Sequence, residues 1–179
     1  TKLKGQLCFR RAEILIMDIK NLLISKAKEI GVKVSPAQAE QFQIYLDLLL
    51  ERNTVMNLTA ITEPQAVAEL HFLDCIALLR AEDFSGKRVI DIGCGAGFPG
   101  VPLKIAEPSI ELTLLDSLAK RMTWLREILP QLGVEAEVVT ARAEDYVQTC
   151  REQYDIATSR AVARLNILAE LCLPYVKTG

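Results

Sequence analysis

The chain has 179 residues, of which 50% are apolar and 25% are charged, and its formal net charge at pH 7 is −2. These totals indicate a globular protein with one good core and a small helical addition. They exclude a histone-like protein that wraps nucleic acid by charge alone, but they allow an RNA enzyme whose basic residues gather on one face.

The first half of the chain is predicted to be helical. Apolar residues at helical spacing predict three helices, which run from Ile14 to Ile30, from Pro36 to about Arg52 and from Pro64 to about Arg80. Ser35 with Gln38, and Thr62 with Gln65, match the pattern of a capping box before the second and third helices. We expect residues 1–85 to form an N-terminal helical region.

Signals for a membrane, a secretory pathway or a metal are missing from the sequence. No apolar run approaches the length of about 18 residues that a membrane span needs, and Glu13 and Asp18 flank the apolar stretch near the N-terminus. The five cysteines are scattered and form no C-x-x-C pair. We therefore expect a cytoplasmic protein without a structural disulfide or a bound metal.

The pattern changes to short apolar strands after residue 86. The predicted strands run from Arg88 to Ile92, from Glu111 to Leu115, from Glu137 to Thr140 and from Tyr154 to Thr158. Helices fill the intervals, and the clearest runs from Ser117 to Leu129. This alternation predicts an α/β fold with a parallel, doubly wound sheet over residues 86–179.

The first strand ends in an Asp-x-Gly-x-Gly-x-Gly turn from Asp91 to Gly97, which is typical of a site where a ligand lies against the main chain. Residues 95–100 also fit the dinucleotide pattern G-x-G-x-x-G. S-adenosylmethionine carries a sulfonium and an ammonium and no phosphate, and Asp91 could meet its cationic methionyl end. We favour this methyl donor and keep a dinucleotide-binding oxidoreductase as the alternative.

Polar residues also follow the other predicted strands, where ligands bind in open α/β sheets. Asp116 comes about 20 residues after the glycines, where a carboxylate accepts ribose hydroxyls; it could equally cap the following helix. Ala143 and Glu144 follow the third strand and could bind the adenine ring. Arg160 follows the fourth.

The segment after the fourth strand lacks the residues that two common methylation reactions require. It contains no Asn/Asp-Pro-Pro-aromatic tetrapeptide for an exocyclic amine, and Cys150 precedes the strand, so no cysteine is placed for attack on a ring carbon. A ring nitrogen with a free lone pair, such as guanine N7, needs no general base. The sequence therefore suits that acceptor.

Histidine and basic residues add further candidates. His71, the single histidine, shares a helix face with Asp74, which could be a simple packing pair. Lys120 and Arg121 lie on one predicted helix and could be solvated surface charge or an RNA-facing patch.

These motifs, taken in order, resemble the glucose-inhibited division protein B family of bacterial 16S ribosomal RNA guanine-N7 methyltransferases. The resemblance covers roughly residues 35–179 and rests on five segments, which are residues 57–59, 71–74, 91–100, 115–121 and 159–161. It implies a class I methyltransferase fold, S-adenosyl-L-methionine as cofactor, and 16S ribosomal RNA or the small ribosomal subunit as partner. Methylation at N7 of one guanine is then expected, with methylation of another substrate as the alternative.

The resemblance also implies which residues form the site. The donor site would comprise Gly93, Gly95, Gly97, Phe98, Asp116, Ala143, Glu144 and Arg160. Candidates that face the donor or the RNA are His71, Asp74, Lys120 and Arg121, and Arg160, Arg121 and His71 are the candidate catalytic residues.

The chain departs from the family pattern at both ends. Members usually continue past the position of Gly179, so the last strands of the sheet are expected to be missing from residues 86–179. The first dozen residues match no part of the family pattern.

Overall fold

The computed structural model describes residues 19–178, in which a helical N-terminal part precedes an α/β sheet. Its helices before the sheet are α1 (19–29), α2 (Pro36–Met56) and α3 (Pro64–Val67). The start of the first predicted helix, residues 14–18, lies outside the described residues. Nowhere in residues 19–178 is a helix both long and apolar enough to cross a membrane.

One of the two predicted capping boxes is confirmed and the other is wrong. Ser35 accepts a hydrogen bond from the Gln38 amide, and the Gln38 side chain accepts one from the Ser35 amide. At α3, however, the N-cap is Glu63 and not Thr62, because the Glu63 carboxylate accepts from the Ala66 amide at 2.7 Å. A carboxylate is the stronger acceptor at the positive end of a helix.

The third helical segment reaches Arg80 as predicted, but it is not a uniform α-helix. A π-helical turn (Ala68–Leu73) follows α3, and α4 (Asp74–Ile76) then leads into a 3₁₀ turn (Ala77–Arg80). Insertions of this kind inside helices are frequent at functional sites. The π-helical turn carries His71.

Four parallel strands form the sheet, and this confirms the predicted fold class. The strands are β1 (Arg88–Ile92), β2 (Glu111–Asp116), β3 (Glu137–Thr140) and β4 (Ile156–Thr158), in the spatial order β3-β2-β1-β4. The helices between and after them are α5 (Gly100–Ala106), α6 (Ala119–Ile128), α7 (Ala143–Cys150) and α8 (Leu165–Cys172).

The fourth strand is shorter than predicted, because it begins at Ile156 and not at Tyr154. Tyr154 instead forms an isolated parallel bridge with Val176 and donates a hydrogen bond to the buried Thr113 hydroxyl. Its side chain is 2% exposed. The apolar pattern at this position therefore reflects burial and not strand pairing with β1.

The helical part packs on the sheet through an aromatic cluster. The Tyr45 ring from α2 lies 5.3 Å from Phe72 and 5.6 Å from Phe98, measured between ring centroids. The Tyr45 hydroxyl, fully buried, donates a hydrogen bond to the Ala96 carbonyl in the glycine turn. Because α2 binds the turn directly, the helical part and the sheet share one core.

Gly97 lies where this packing is tightest. Its φ is +98°, and a Cβ built there would come within 2.7 Å of a Val101 methyl and 2.9 Å of the Tyr45 hydroxyl. Gly86 also has a positive φ, +65°, but no heavy atom lies within 4 Å of its ideal Cβ. A substitution at Gly86 therefore adds only backbone strain, whereas a substitution at Gly97 adds backbone strain and steric overlap.

We expect Gly97→Ala to lower the free energy of unfolding by about 1–3 kcal/mol more than Gly86→Ala, because only the first adds an overpacking cost to the cost of the left-handed backbone. Urea denaturation of both variants and the parent protein measures the difference. Equal destabilisation of the two variants would contradict the packing assigned to Gly97.

Candidate functional site

A cleft of about 400 Å³ opens at the carboxyl ends of β1, β2 and β3. This is the edge where ligands bind in open α/β sheets, and the volume lies within the range of small-molecule sites. The residues that line it are Ile92, Gly93, Leu115, Asp116, Ser117, Leu118, Arg121, Ala141, Arg142, Ala143, Glu144, Ala161, Val162 and Leu171.

The glycine turn meets the cleft at Gly93, which is the residue of the turn that lines it. Gly93 and Gly95 are partly exposed, whereas Cys94 between them and Ala96 after them are buried, so residues 93–96 alternate between the surface and the interior. Gly93 has a φ of +69°, and a Cβ there would lie 2.4 Å from a methyl of Val162, which approaches from the segment after β4. A side chain at Gly93 would therefore push Val162 out of its position on the other side of the cleft.

Asp116 links the end of β2 to this turn. Its Oδ2 accepts a hydrogen bond from the Gly95 amide at 3.0 Å, and its Oδ1 accepts one from the Leu118 amide at 2.9 Å. The residue is 8% exposed. Each carboxylate oxygen keeps acceptor capacity for a further donor, so Asp116 can position the turn and also bind the hydroxyls of a ligand.

The remaining polar groups of the cleft come from helix starts. Arg142 is the N-cap residue of α7, and Ala143 and Glu144 form its first turn. Arg121 comes from α6, and its Nη1 lies 3.7 Å from the ideal Cβ position of Gly95. Sequence reasoning missed Arg142, although its position directly before Ala143 at a strand end could have indicated it.

Asp91 is placed differently from the hypothesis that it meets the methionyl end of a ligand. Its side chain is fully buried, and its Oδ2 accepts a hydrogen bond from the Gly100 amide at 2.8 Å. Its Oδ1 has no hydrogen-bond partner among the described residues. Burial raises the pKa of Asp91 to about 7, against the Gly100 hydrogen bond and Arg160, which lower it.

The other predicted site residues form a second group beside the cleft. Gly97 and Phe98 are buried in the core and do not line the cleft. Arg160 lies over the Phe98 ring, with its guanidinium carbon 4.9 Å from the ring centroid. His71 stacks on the same ring at 4.8 Å, and its Nδ1 lies 2.8 Å from Arg160 Nη2.

Two further candidates are on the surface. Asp74 is exposed, and its Oδ2 lies 3.4 Å from Arg160 Nη1, so it joins the second group. Lys120 is exposed on α6, one residue before the cleft residue Arg121. Within residues 19–178 no group of three or more His, Cys, Asp or Glu side chains is arranged to hold a metal ion.

Comparison with known proteins identifies close relatives. The model of the GidB family, described as rRNA small subunit methyltransferase G, matches residues 38–179. The ribosomal RNA small subunit methyltransferase G of Alkaliphilus oremlandii (strain OhILAs) is 48% identical over 167 residues, which cover 91% of this chain and 70% of that protein. The protein of the same name from Staphylococcus epidermidis is 49% identical over 160 residues, covering 88% of this chain and 67% of its own length.

Among solved structures, a SAM-dependent methyltransferase from Aquifex aeolicus has a similar fold. The TM-score is 0.51 at 21% identity, and the match covers 68% of this chain and 66% of that one. This likeness bears on the fold alone. It agrees with the class I methyltransferase architecture that the order of strands and helices indicates.

We expect Asp116→Asn to lower the free energy of unfolding by about 1–3 kcal/mol, because one of the two amides would then face an N–H group without an acceptor. Urea denaturation measures this. The matched control is Glu144→Gln, which alters an exposed residue of the same cleft and should change stability by less than about 0.5 kcal/mol. Unchanged stability of Asp116→Asn would contradict its role in positioning the turn.

The buried Asp91 carboxyl predicts a pH dependence of stability. Its folded pKa of about 7 exceeds the ordinary value of 3.8, so the folded state keeps a proton that the unfolded state releases. Between these values the protein should lose stability as the pH rises, relative to Asp91→Asn, and the difference should level off above pH 7. Denaturation of both proteins from pH 4 to 8 tests this, and parallel profiles would contradict it.

Proposed function

The chain belongs to the GidB family, rRNA small subunit methyltransferase G, and we propose that it transfers a methyl group from S-adenosylmethionine to N7 of a guanine in 16S ribosomal RNA. The family decides between the two ligands that the glycine motif left open, since it uses the methyl donor and not a dinucleotide. Small-subunit ribosomal RNA is the substrate class, and the guanine N7 atom is the specific acceptor that we propose. Because bacterial ribosomal RNA is located in the cytoplasm, we propose the same location for this protein.

The observation that carries this proposal is the composition of the cleft beside the glycine turn. Carboxylates of Asp116 and Glu144 and the partly exposed backbone of Gly93 lie around one space of about 400 Å³. Carboxylate acceptors suit a ligand with ribose hydroxyls and an adenine amino group. The residues present therefore fit S-adenosylmethionine.

We assign roles to the cleft residues from their positions. Asp116 binds the ribose hydroxyls with the acceptor capacity that remains beside its two amide contacts. Ala143 and Glu144, at the first turn of α7, bind the adenine edge through an amide and a carboxylate. Gly93 and Gly95 let the methionyl part lie against the main chain.

The second group of residues completes the donor site at its methionyl end. The guanidinium of Arg160 stacks on the Phe98 ring. Arg160 also has N–H groups that remain available after its contacts with His71, Leu70 and Asp74. A guanidinium suits the methionyl carboxylate. In this proposal the helices within residues 19–85 bring His71 to the Rossmann-like sheet that begins after residue 86.

Methylation at guanine N7 places modest demands on the protein. The donor supplies an electrophilic methyl group, and N7 offers a lone pair that is already free. The chain's residues then have to hold the base in line, exclude water and tolerate the charge that moves onto the base. Arg121 and Lys120 flank the cleft, where they would bind phosphates of the RNA loop.

The test is methyl transfer with a labelled donor. Small ribosomal subunits that lack the modification should incorporate label, the labelled nucleotide should be 7-methylguanosine, and Asp116→Ala should reduce incorporation by at least about tenfold through lost donor binding. Naked 16S RNA serves as a second substrate. Label on another atom or another RNA would refute the specific acceptor, and donor binding without incorporation into either substrate would refute the enzyme activity.

A further inference from the structure

A continuous series of hydrogen bonds connects α2 to His71 and Arg160 of the second group of site residues. Asn53 at the end of α2 pairs with both backbone groups of Thr59, with distances of 2.9 Å from its Oδ1 to the Thr59 amide and from its Nδ2 to the Thr59 carbonyl. The Thr59 hydroxyl lies 2.8 Å from His71 Nε2, and His71 Nδ1 lies 2.8 Å from Arg160 Nη2. The chain thus links α2 to the segment after β4.

Two neighbours of His71 Nδ1 bear on its protonation. Arg160 Nη2, which can only donate, lies 2.8 Å from Nδ1, whereas the Leu70 carbonyl oxygen, which can only accept, lies 3.2 Å away. Because the contact with Arg160 is the shorter one, we take Nδ1 as the acceptor of a hydrogen bond from Arg160. In a neutral imidazole the proton then lies on Nε2, which donates to the Thr59 hydroxyl oxygen. That oxygen also accepts from the Ile61 amide at 3.0 Å, so both of its lone pairs are used.

The other contacts of Arg160 are weaker restraints. Its ion pair with Asp74 spans 3.4 Å, and the Asp74 side chain is 64% exposed, so solvent screens most of the attraction. The bond to the Leu70 carbonyl is 3.3 Å long. The short bond to His71 and the Phe98 ring beneath the guanidinium therefore do most to fix its orientation.

We propose that His71 is a positioning residue, which in its neutral Nε2–H form, held by Thr59, orients Arg160 toward the methionyl end of the donor. This rests on the proposed function, because it takes Arg160 as a ligand of the donor. His71 and Thr59 both belong to the helical region. That region therefore helps to orient a ligand of the donor, although its own side chains do not contact the donor.

Protonation of His71 would break this arrangement, since Nδ1 would then carry a hydrogen and a positive charge against the guanidinium. Burial and then Arg160 hold the pKa of His71 below its usual value, whereas the Leu70 carbonyl and Asp74 act in the opposite direction. Two other acids bear on Arg160 through their charge: Arg160 lowers the pKa of Asp91 on β1, and Asp116 raises it. Asp91 titrates near pH 7 and is therefore a second source of pH dependence.

The first experiment measures the tautomer directly and does not depend on activity. His71 is the single histidine of the chain, so protein labelled with ¹⁵N-histidine gives one pair of ring nitrogen signals. We expect a protonated Nε2 and an unprotonated Nδ1 at pH 7.5, and a titration midpoint below that of free histidine. An Nδ1–H tautomer, or a cationic ring at pH 7.5, would overturn the proposal.

The second experiment measures the affinity for S-adenosylhomocysteine by calorimetry between pH 5 and 8. His71→Gln is the matched control, because its amide can accept from Arg160 and donate to Thr59 but cannot titrate, while Asp91 titrates in both proteins. The affinity of the parent should fall toward pH 5 more steeply than that of His71→Gln. Thr59→Val should weaken binding about three- to tenfold at pH 7.5.

Parallel pH profiles for the parent and His71→Gln, or unchanged affinity of Thr59→Val, would overturn the positioning role. If the parent protein binds no S-adenosylhomocysteine at any pH, the proposed function fails. The nuclear magnetic resonance measurement then still decides whether the hydrogen-bond chain exists.

Discussion

The site depends on a glycine turn that is held from three sides by side chains of other elements. Asp91 on β1 accepts from the Gly100 amide beyond the turn, Asp116 on β2 accepts from Gly95 within it, and Tyr45 on α2 donates to the Ala96 carbonyl. A backbone with several positive φ values has little intrinsic preference for one shape. These three hydrogen bonds supply the preference, so the cleft is formed before a ligand arrives.

Asp91 and Asp116 lie in different environments and therefore have different roles. Asp91 is fully buried, one of its oxygens has no hydrogen-bond partner in residues 19–178, and burial raises its pKa to about 7. Asp116 lines the cleft and pairs both oxygens with amides while keeping capacity for a ligand. Asp91 therefore holds the Gly100 amide in the interior of the protein, whereas Asp116 can contact a ligand in the cleft.

The helical region contributes to the site and not merely to the core. Its aromatic residues Phe42, Tyr45 and Phe72 pack toward Phe98, and the π-helical turn brings His71 to Arg160. Removing these helices would therefore expose Phe98 and take away the hydrogen-bond partners of Arg160, which are His71, Leu70 and Asp74. A boundary near residue 85 divides the sequence pattern, but the packing joins both parts around the glycine turn.

The alternation of strands and helices, the glycine turn and the carboxylate after β2 were all predictable from the sequence, because periodicity and turn chemistry are local properties. The cleft position of Gly93, Ala143 and Glu144 followed from the rule that strand ends share one edge. Two arrangements became visible only in the folded protein. Asp91 accepts from the Gly100 amide, and Thr59, His71 and Arg160 are joined by hydrogen bonds although they lie far apart in sequence. Those contacts depend on how α2 and the π-helical turn pack against the sheet, and no local pattern encodes the distance between side chains from separate elements.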